Sequence, residues 1–148
     1  MTFDGIIEAL GERLGTEIED AGGAAAVEVD GEVVILQDAG ELLLLRAEIG
    51  DLPDEGKDAL VVSAMRANFL YQGTGGSTLA LDPESDRLVV QKYNWLERLD
   101  QEKAFDMLER FTDTVAAWRR IVGDFRLGKS VEEASDSDAP NGGGFMQV

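Results

Sequence analysis

From Asp58 to Tyr71 the chain reads DALVVSAMRANFLY, with apolar residues on nearly every face of the helix they imply. A surface helix shows one apolar stripe opposite a charged side. Here Arg66 is the single charge between Asp58 and Gly73. The helix must therefore be covered on two sides, by its own sheet and by something else. Gly73, Gly75 and Gly76 are expected to end it, since glycine reaches the left-handed backbone of helix ends. Two short β-rich runs follow, residues 77–81 and 88–93, separated by the turn formers Asp82-Pro83-Glu84-Ser85-Asp86.

Upstream, Phe3, Ile6, Ile7, Leu10 and Leu14 recur at helical spacing. Thr2 suits the N-cap, Asp4 the first turn and Gly15 the C-cap. Gly5 and Gly11 each cost ~1 kcal/mol relative to alanine, so this helix depends on docking. Three strands are predicted next, at 24–29, 32–37 and 41–49. Asp30-Gly31 is a strong hairpin signal, because both turn positions favour positive φ. It places Val27 opposite Val34 and Ala25 opposite Leu36. A three-residue turn, Asp38-Ala39-Gly40, would place Leu36 opposite Leu42 and Val34 opposite Leu44. Val33, Ile35, Leu43, Leu45 and Ile49 would then share the other face. Both faces are apolar, unlike a sheet with one wet side. A fully covered sheet without a binding role satisfies the same pattern.

Asp51-Leu52-Pro53-Asp54-Glu55 is expected to open the central helix. Asp100 can cap a third, long helix carrying Phe105, Leu108, Phe111, Val115, Trp118, Val122 and Phe125 at spacings of three and four. Arg119, Arg120 and Arg126 lie near its C-terminus, where cations oppose the helix dipole. The fold class is α+β in the order α-β-β-β-α-β-β-α, a twisted, mostly antiparallel sheet flanked by three helices. Residues 1–127 make one domain. Residues 128–148 read as an acidic, Gly-rich, disordered tail, ending in Phe145, Met146 and Val148 as a frayed end or a docking peptide.

Composition narrows the chemistry. The 148 residues include no cysteine and no histidine, which removes thiol nucleophiles, disulfides, histidine bases and nearly all zinc chemistry. Lack of cysteine fits a reducing cytoplasm. No basic-then-apolar leader opens the chain and no run reaches the ~20 apolar residues of a membrane span. Net charge is −17, with 15 acidic and 3 basic side chains, net −12, in residues 1–57. Such a field repels nucleic acid and anionic membranes and attracts basic protein segments.

Local motifs add little. Gly73-Thr74-Gly75-Gly76-Ser77 follows a helix and feeds a strand, the reverse of a phosphate cradle, and no lysine comes after it. Asp136, Asp138, Asn141 and Gly142 mimic a calcium loop, but Pro140 takes a ligand position and the closing glutamate is missing. Enzymatic activity, a cofactor and a metal site are not expected.

The run ANFLYQGTGGSTLALDP (67–83), followed by a β-run and a closing helix ending near AAWRRIVGDF, resembles the CesT/Tir-chaperone family, the small acidic class I chaperones of bacterial type III secretion. The likeness spans residues 3 to 125 in order and character of elements, and is most specific from Asn68 to Asp82. It implies a cytoplasmic bacterial homodimer that holds the non-globular N-terminal segment of an effector, keeping it soluble and secretion-competent. It also implies recognition at the secretion apparatus, with the apparatus ATPase as a further partner, and neither nucleic-acid binding nor membrane insertion. On that reading Leu60, Ser63, Ala64, Met65, Ala67, Tyr71 and Leu79 are expected at the dimer seam. Phe3, Ile6, Ile7, Leu10, Val34, Leu36, Leu42 and Leu44 are expected to face the client. The rival reading is an acidic decoy that mimics nucleic acid and binds a basic protein. The alternating apolar strands and the two-sided central helix argue against it.

Overall fold

The computed structural model describes residues 1–126. The expected tail, with Phe145, Met146, Val148 and the Asp136–Asn141 loop, lies outside them. The elements are α1 (Phe3–Leu14), β1 (Ala24–Val29), β2 (Glu32–Ala39), β3 (Leu42–Asp51), α2 (Lys57–Asn68), β4 (Thr78–Leu81), β5 (Arg87–Trp95) and α3 (Gln101–Arg126). The order is the expected α-β-β-β-α-β-β-α. The strands form one five-stranded sheet in the order β1-β2-β3-β5-β4. By packing, the described residues divide into Met1–Ala47 with Lys92–Thr112, and Glu48–Gln91 with residues 113–126.

In the first unit, Thr2 caps α1 by accepting the Gly5 N–H at 3.1 Å, and Gly15 ends the helix at φ 69°. The linker then folds back so tightly that a Cβ on Gly11 would lie 2.8 Å from the Thr16 carbonyl oxygen. At the first hairpin Asp30 and Gly31 both take positive φ, and Val27 pairs with Val34 and Ala25 with Leu36, as expected.

The second hairpin departs from expectation. Strand β2 continues to Ala39 and turns through Gly40 and Glu41, with Gly40 at φ 76° and its N–H held by the Asp38 carboxylate at 3.0 Å. Leu36 therefore pairs with Leu45, not Leu42, and Gln37 with Leu44. The shift of three residues is odd, so it exchanges the faces of the strand. Leu43, Leu45 and Ala47 join Ala25, Val27, Val34 and Leu36 on the buried face. Further buried side chains of this unit come from α1 (Phe3, Ile6, Ile7, Leu10 among them), from Leu96 and Leu99, and from the first half of α3 (Ala104, Met107, Leu108, Phe111 among them). Together they make its core. Arg13 adds a cation–π contact, 4.4 Å from the Phe105 ring centroid.

In the second unit the end of β3 is clamped by arginines. Arg119 donates to the carbonyls of Ile49 and Glu48, both at 2.9 Å, and Arg126 donates to that of Asp51. Arg87 bridges the carboxylates of Glu48 and Asp51 at 3.0 and 3.1 Å, and the hydrogen bond to Glu48 leads in raising its pKa. Because β3 runs to Asp51, the Pro53 segment does not open α2 as expected. That helix starts at Lys57, after Gly56 at φ 79°, where any Cβ would collide with the Phe125 ring.

The end of α2 also differs. The helix gives way after Asn68 to a single tight turn, Phe69–Tyr71, in which Leu70 and Tyr71 hold left-handed backbone at φ 53° and 57°. Non-glycine residues carry the reversal at a cost of order 1–3 kcal/mol each. Gly73 serves a different purpose, since its Cβ would lie 2.7 Å from that of Ala67. The core of this unit comprises Leu60 and Ala64 of α2, Leu79, Leu88, Val89 and Val90 of the strands, and Val115, Trp118, Ile121 and Val122 of α3.

Candidate functional site

The first unit leaves one sheet face without a helix of its own. Asn94 turns its amide to the Met107 sulfur of α3 at 3.3 Å, so Tyr93 and Trp95 point the opposite way by strand alternation. Tyr93 is 62% exposed and Trp95 37%. On the neighbouring strands the same side carries Val33, 53% exposed, with Ile35, Leu42 and Leu44 half-buried. Single exposed apolar residues are ordinary, but six on adjoining strands make a patch of the kind that marks an interaction surface.

Of the residues expected to face a client, Phe3, Ile6, Ile7, Leu10, Val34 and Leu36 are all buried in the protein's own core, Ile6 completely. Leu42 and Leu44 are half-buried on the outer side. The eight do not form one surface, and the changed register is why Val34 and Leu36 part from Leu42 and Leu44. Tyr93 and Trp95 were not anticipated, although the alternation in Tyr93-Asn94-Trp95 is the signal that marks them.

Two hollows in the same unit adjoin backbone and charge. One, of about 440 Å³, runs along the edge of β1 and is lined by Leu14, Thr16, Glu17, Ile18, Ala26 and Glu28 among others. Gly23 accepts the Asp38 N–H across the first hairpin. By the alternation of an antiparallel pair, Ala26 and Glu28 thus turn their backbone groups away from β2. The other, of about 450 Å³, lies at Phe3 and Trp95 and is rimmed by the carboxylates of Asp38, Glu41 and Glu97. Met1 lines it as well, its ammonium group donating to the Leu96 carbonyl at 2.9 Å.

The second unit exposes a different patch. Only Leu60 and Ala64 of α2 are fully buried, as a helix needing cover on a second side would have it. Val62 and Met65 stand out from the helix, Met65 at 66%, and Phe69, Leu70 and Tyr71 follow on the tight turn, Leu70 at 64%. Of the residues expected at a dimer seam, Leu60, Ala64 and Leu79 are buried in the chain itself. Ser63 and Ala67 are half-buried, and Met65 and Tyr71 are open. Val62, Phe69 and Leu70 extend that set. Their apolar character was visible in sequence, but their direction depended on where the helix ended.

Among the described residues no group of acidic side chains is arranged to hold a metal, and no helix is long and apolar enough to cross a membrane.

Comparison with known proteins places this architecture. No curated protein sequence matches the chain. Among solved structures, the Yersinia pestis type III secretion chaperone SycH, in complex with a stable fragment of YscM2, superposes with a TM-score of 0.63 at 22% identity, covering 78% of this chain and 98% of that one. The Pseudomonas aeruginosa heterodimeric ExoU–SpcU complex from the type III secretion system gives 0.59 at 17% identity, covering 92% and 99%. The ExoT–SpcS complex of the same organism gives 0.58 at 19%, covering 74% and 90%. These likenesses fix the fold, and the family model for the Tir chaperone protein (CesT) family matches residues 5–119. The chain belongs to the Tir chaperone protein (CesT) family.

Proposed function

We propose that this protein is a homodimeric type III secretion chaperone that holds the extended N-terminal segment of an effector and keeps it soluble. The observation that carries the reading is the outer sheet face of the first unit, where Val33, Ile35, Leu42, Leu44, Tyr93 and Trp95 form an exposed to half-buried apolar surface that no helix of that unit covers among the described residues. Apolar pockets beside an open strand edge suit an extended chain, since side chains supply specificity and main-chain bonds supply affinity. The groove along Ala26 and Glu28 offers such an edge. A net charge of −17 favours a client segment carrying lysine or arginine.

The second patch suits a second copy of the chain. Val62, Met65, Phe69, Leu70 and Tyr71 are the large apolar side chains exposed on α2 and its closing turn, and obligate interfaces are apolar with well-packed centres. Burial between two chains would also hold the left-handed Leu70 and Tyr71 in place. In the same reading the loaded complex is handed to the ATPase of the secretion apparatus.

The test is co-expression with candidate effectors and purification of the complex. A stable complex lost on truncating the effector's N-terminal segment is expected. Recovery of a DNA-binding enzyme instead would favour the decoy reading and overturn this one.

A further inference from the structure

The strand order leaves two edges, β1 and β4, and an unpaired edge is a template for any extended chain. The edge of β4 is occupied from within. The side-chain amide of Asn68 accepts the Leu79 N–H at 2.8 Å and donates to the Leu79 carbonyl at 2.9 Å. An asparagine amide presents a donor and an acceptor side by side, as a peptide group does. Asn68 therefore bonds Leu79 as a neighbouring strand would.

Alternation explains why Leu79 is the residue met. The Asp82 N–H donates to the Arg87 carbonyl of β5 at 2.9 Å, and in the register that pairs Ala80 with Val89 and Thr78 with Gln91 residues bonded to the partner strand alternate with residues whose bonds face away. Leu79 faces away. One end of the same edge is also engaged, because the Ser77 N–H donates to the Thr74 carbonyl at 3.0 Å. Asn68 is the last residue of α2, two before the left-handed pair Leu70 and Tyr71, and its reach depends on the helix ending there.

We propose that Asn68 is a positioning residue that closes the β4 edge to strand addition and so confines an extended client to the β1 edge. The confinement rests on the chaperone reading above; the closure does not need a client.

Backbone amide hydrogen exchange on the full-length protein tests the closure. In the unaltered protein the Leu79 amide is expected to exchange as slowly as those of Thr78 and Ala80, despite its place on an edge. Asn68→Ala should speed exchange at Leu79 about tenfold or more while leaving Thr78 and Ala80 unchanged. A merely structural role would speed all three. Fast exchange at Leu79 without any substitution, or equal acceleration at all three amides, overturns the closure. Should Asn68→Ala not fold, the unaltered protein's Leu79 rate still decides the matter. The confinement is tested with a synthetic peptide of alternating valine and lysine. It should slow exchange at Ala26 and Glu28 in the unaltered protein, and additionally at Leu79 in Asn68→Ala. Slowing at neither edge overturns the confinement together with the strand-addition reading, whereas the Leu79 rate alone continues to decide the closure.

Discussion

The indole N–H of Trp118 donates to the carbonyl of Gly73 at 2.9 Å, tying α3 to the glycine turn that follows α2. Trp118→Phe keeps most of the ring and strands that carbonyl, which should cost ~1–3 kcal/mol. Gly73→Ala presses a methyl group against Ala67 and should cost a similar ~1–3 kcal/mol by overpacking. Urea denaturation of both variants measures this. Unchanged midpoints would mean the turn is not held by this contact.

The α2 patch predicts different outcomes for neighbouring residues. Met65→Glu and Tyr71→Glu alter exposed side chains and should give folded monomers under conditions where the proposed dimer forms in the unaltered protein. Ala64→Glu places a charge at a buried position and should unfold the chain. Sedimentation equilibrium with circular dichroism separates these cases. A monomeric unaltered protein at micromolar concentration would remove the dimer from the proposal.

The outer sheet face makes the same kind of division. Leu44→Asp and Tyr93→Asp should abolish effector co-purification with little change in melting temperature. Ile6→Asp, inside the core, should unfold the first unit. Raising ionic strength should slow association through screening of the acidic surface and weaken the apolar contacts much less. If every substitution that blocks the effector also unfolds the protein, no separable client surface exists.

Lys92 supplies a pH signature. Burial lowers its pKa from the ordinary 10.5, and the Arg110 charge adds to the effect. A base with a depressed folded pKa costs stability while charged in both states. That cost fades as pH rises through the folded pKa toward 10.5. Lys92→Met should therefore raise the urea midpoint at neutral pH and flatten the alkaline part of the stability profile. A lower midpoint would mean the ammonium group is better accommodated than its burial indicates.

Much of the fold was legible because its signals are local. The Thr2 and Asp100 caps and the Asp30-Gly31 hairpin each depend on a few adjacent residues. What was not legible depends on distant ones. Pro53 looks like a helix start, yet the segment before it is drawn out as strand by Arg119 and Arg126. Gly73 looks like the stop of α2, yet Leu70 and Tyr71 take the left-handed backbone first. The composition of the sheet faces was misread through a single turn, since two residues at Gly40-Glu41 rather than three at 38–40 exchange Leu42 and Leu44 for Leu43 and Leu45.

Four consecutive leucines, Leu42 to Leu45, make the two sides of β3 chemically interchangeable at its start. A hairpin mispaired by one residue would still bury two leucines, so loss of apolar contact cannot reject it there. Rejection falls to Arg46 and Glu48, whose exposed side chains such a slip would drive into the core without partners. The register of this hairpin is thus held by two charges that must stay in water, where the leucines beside them are indifferent to it.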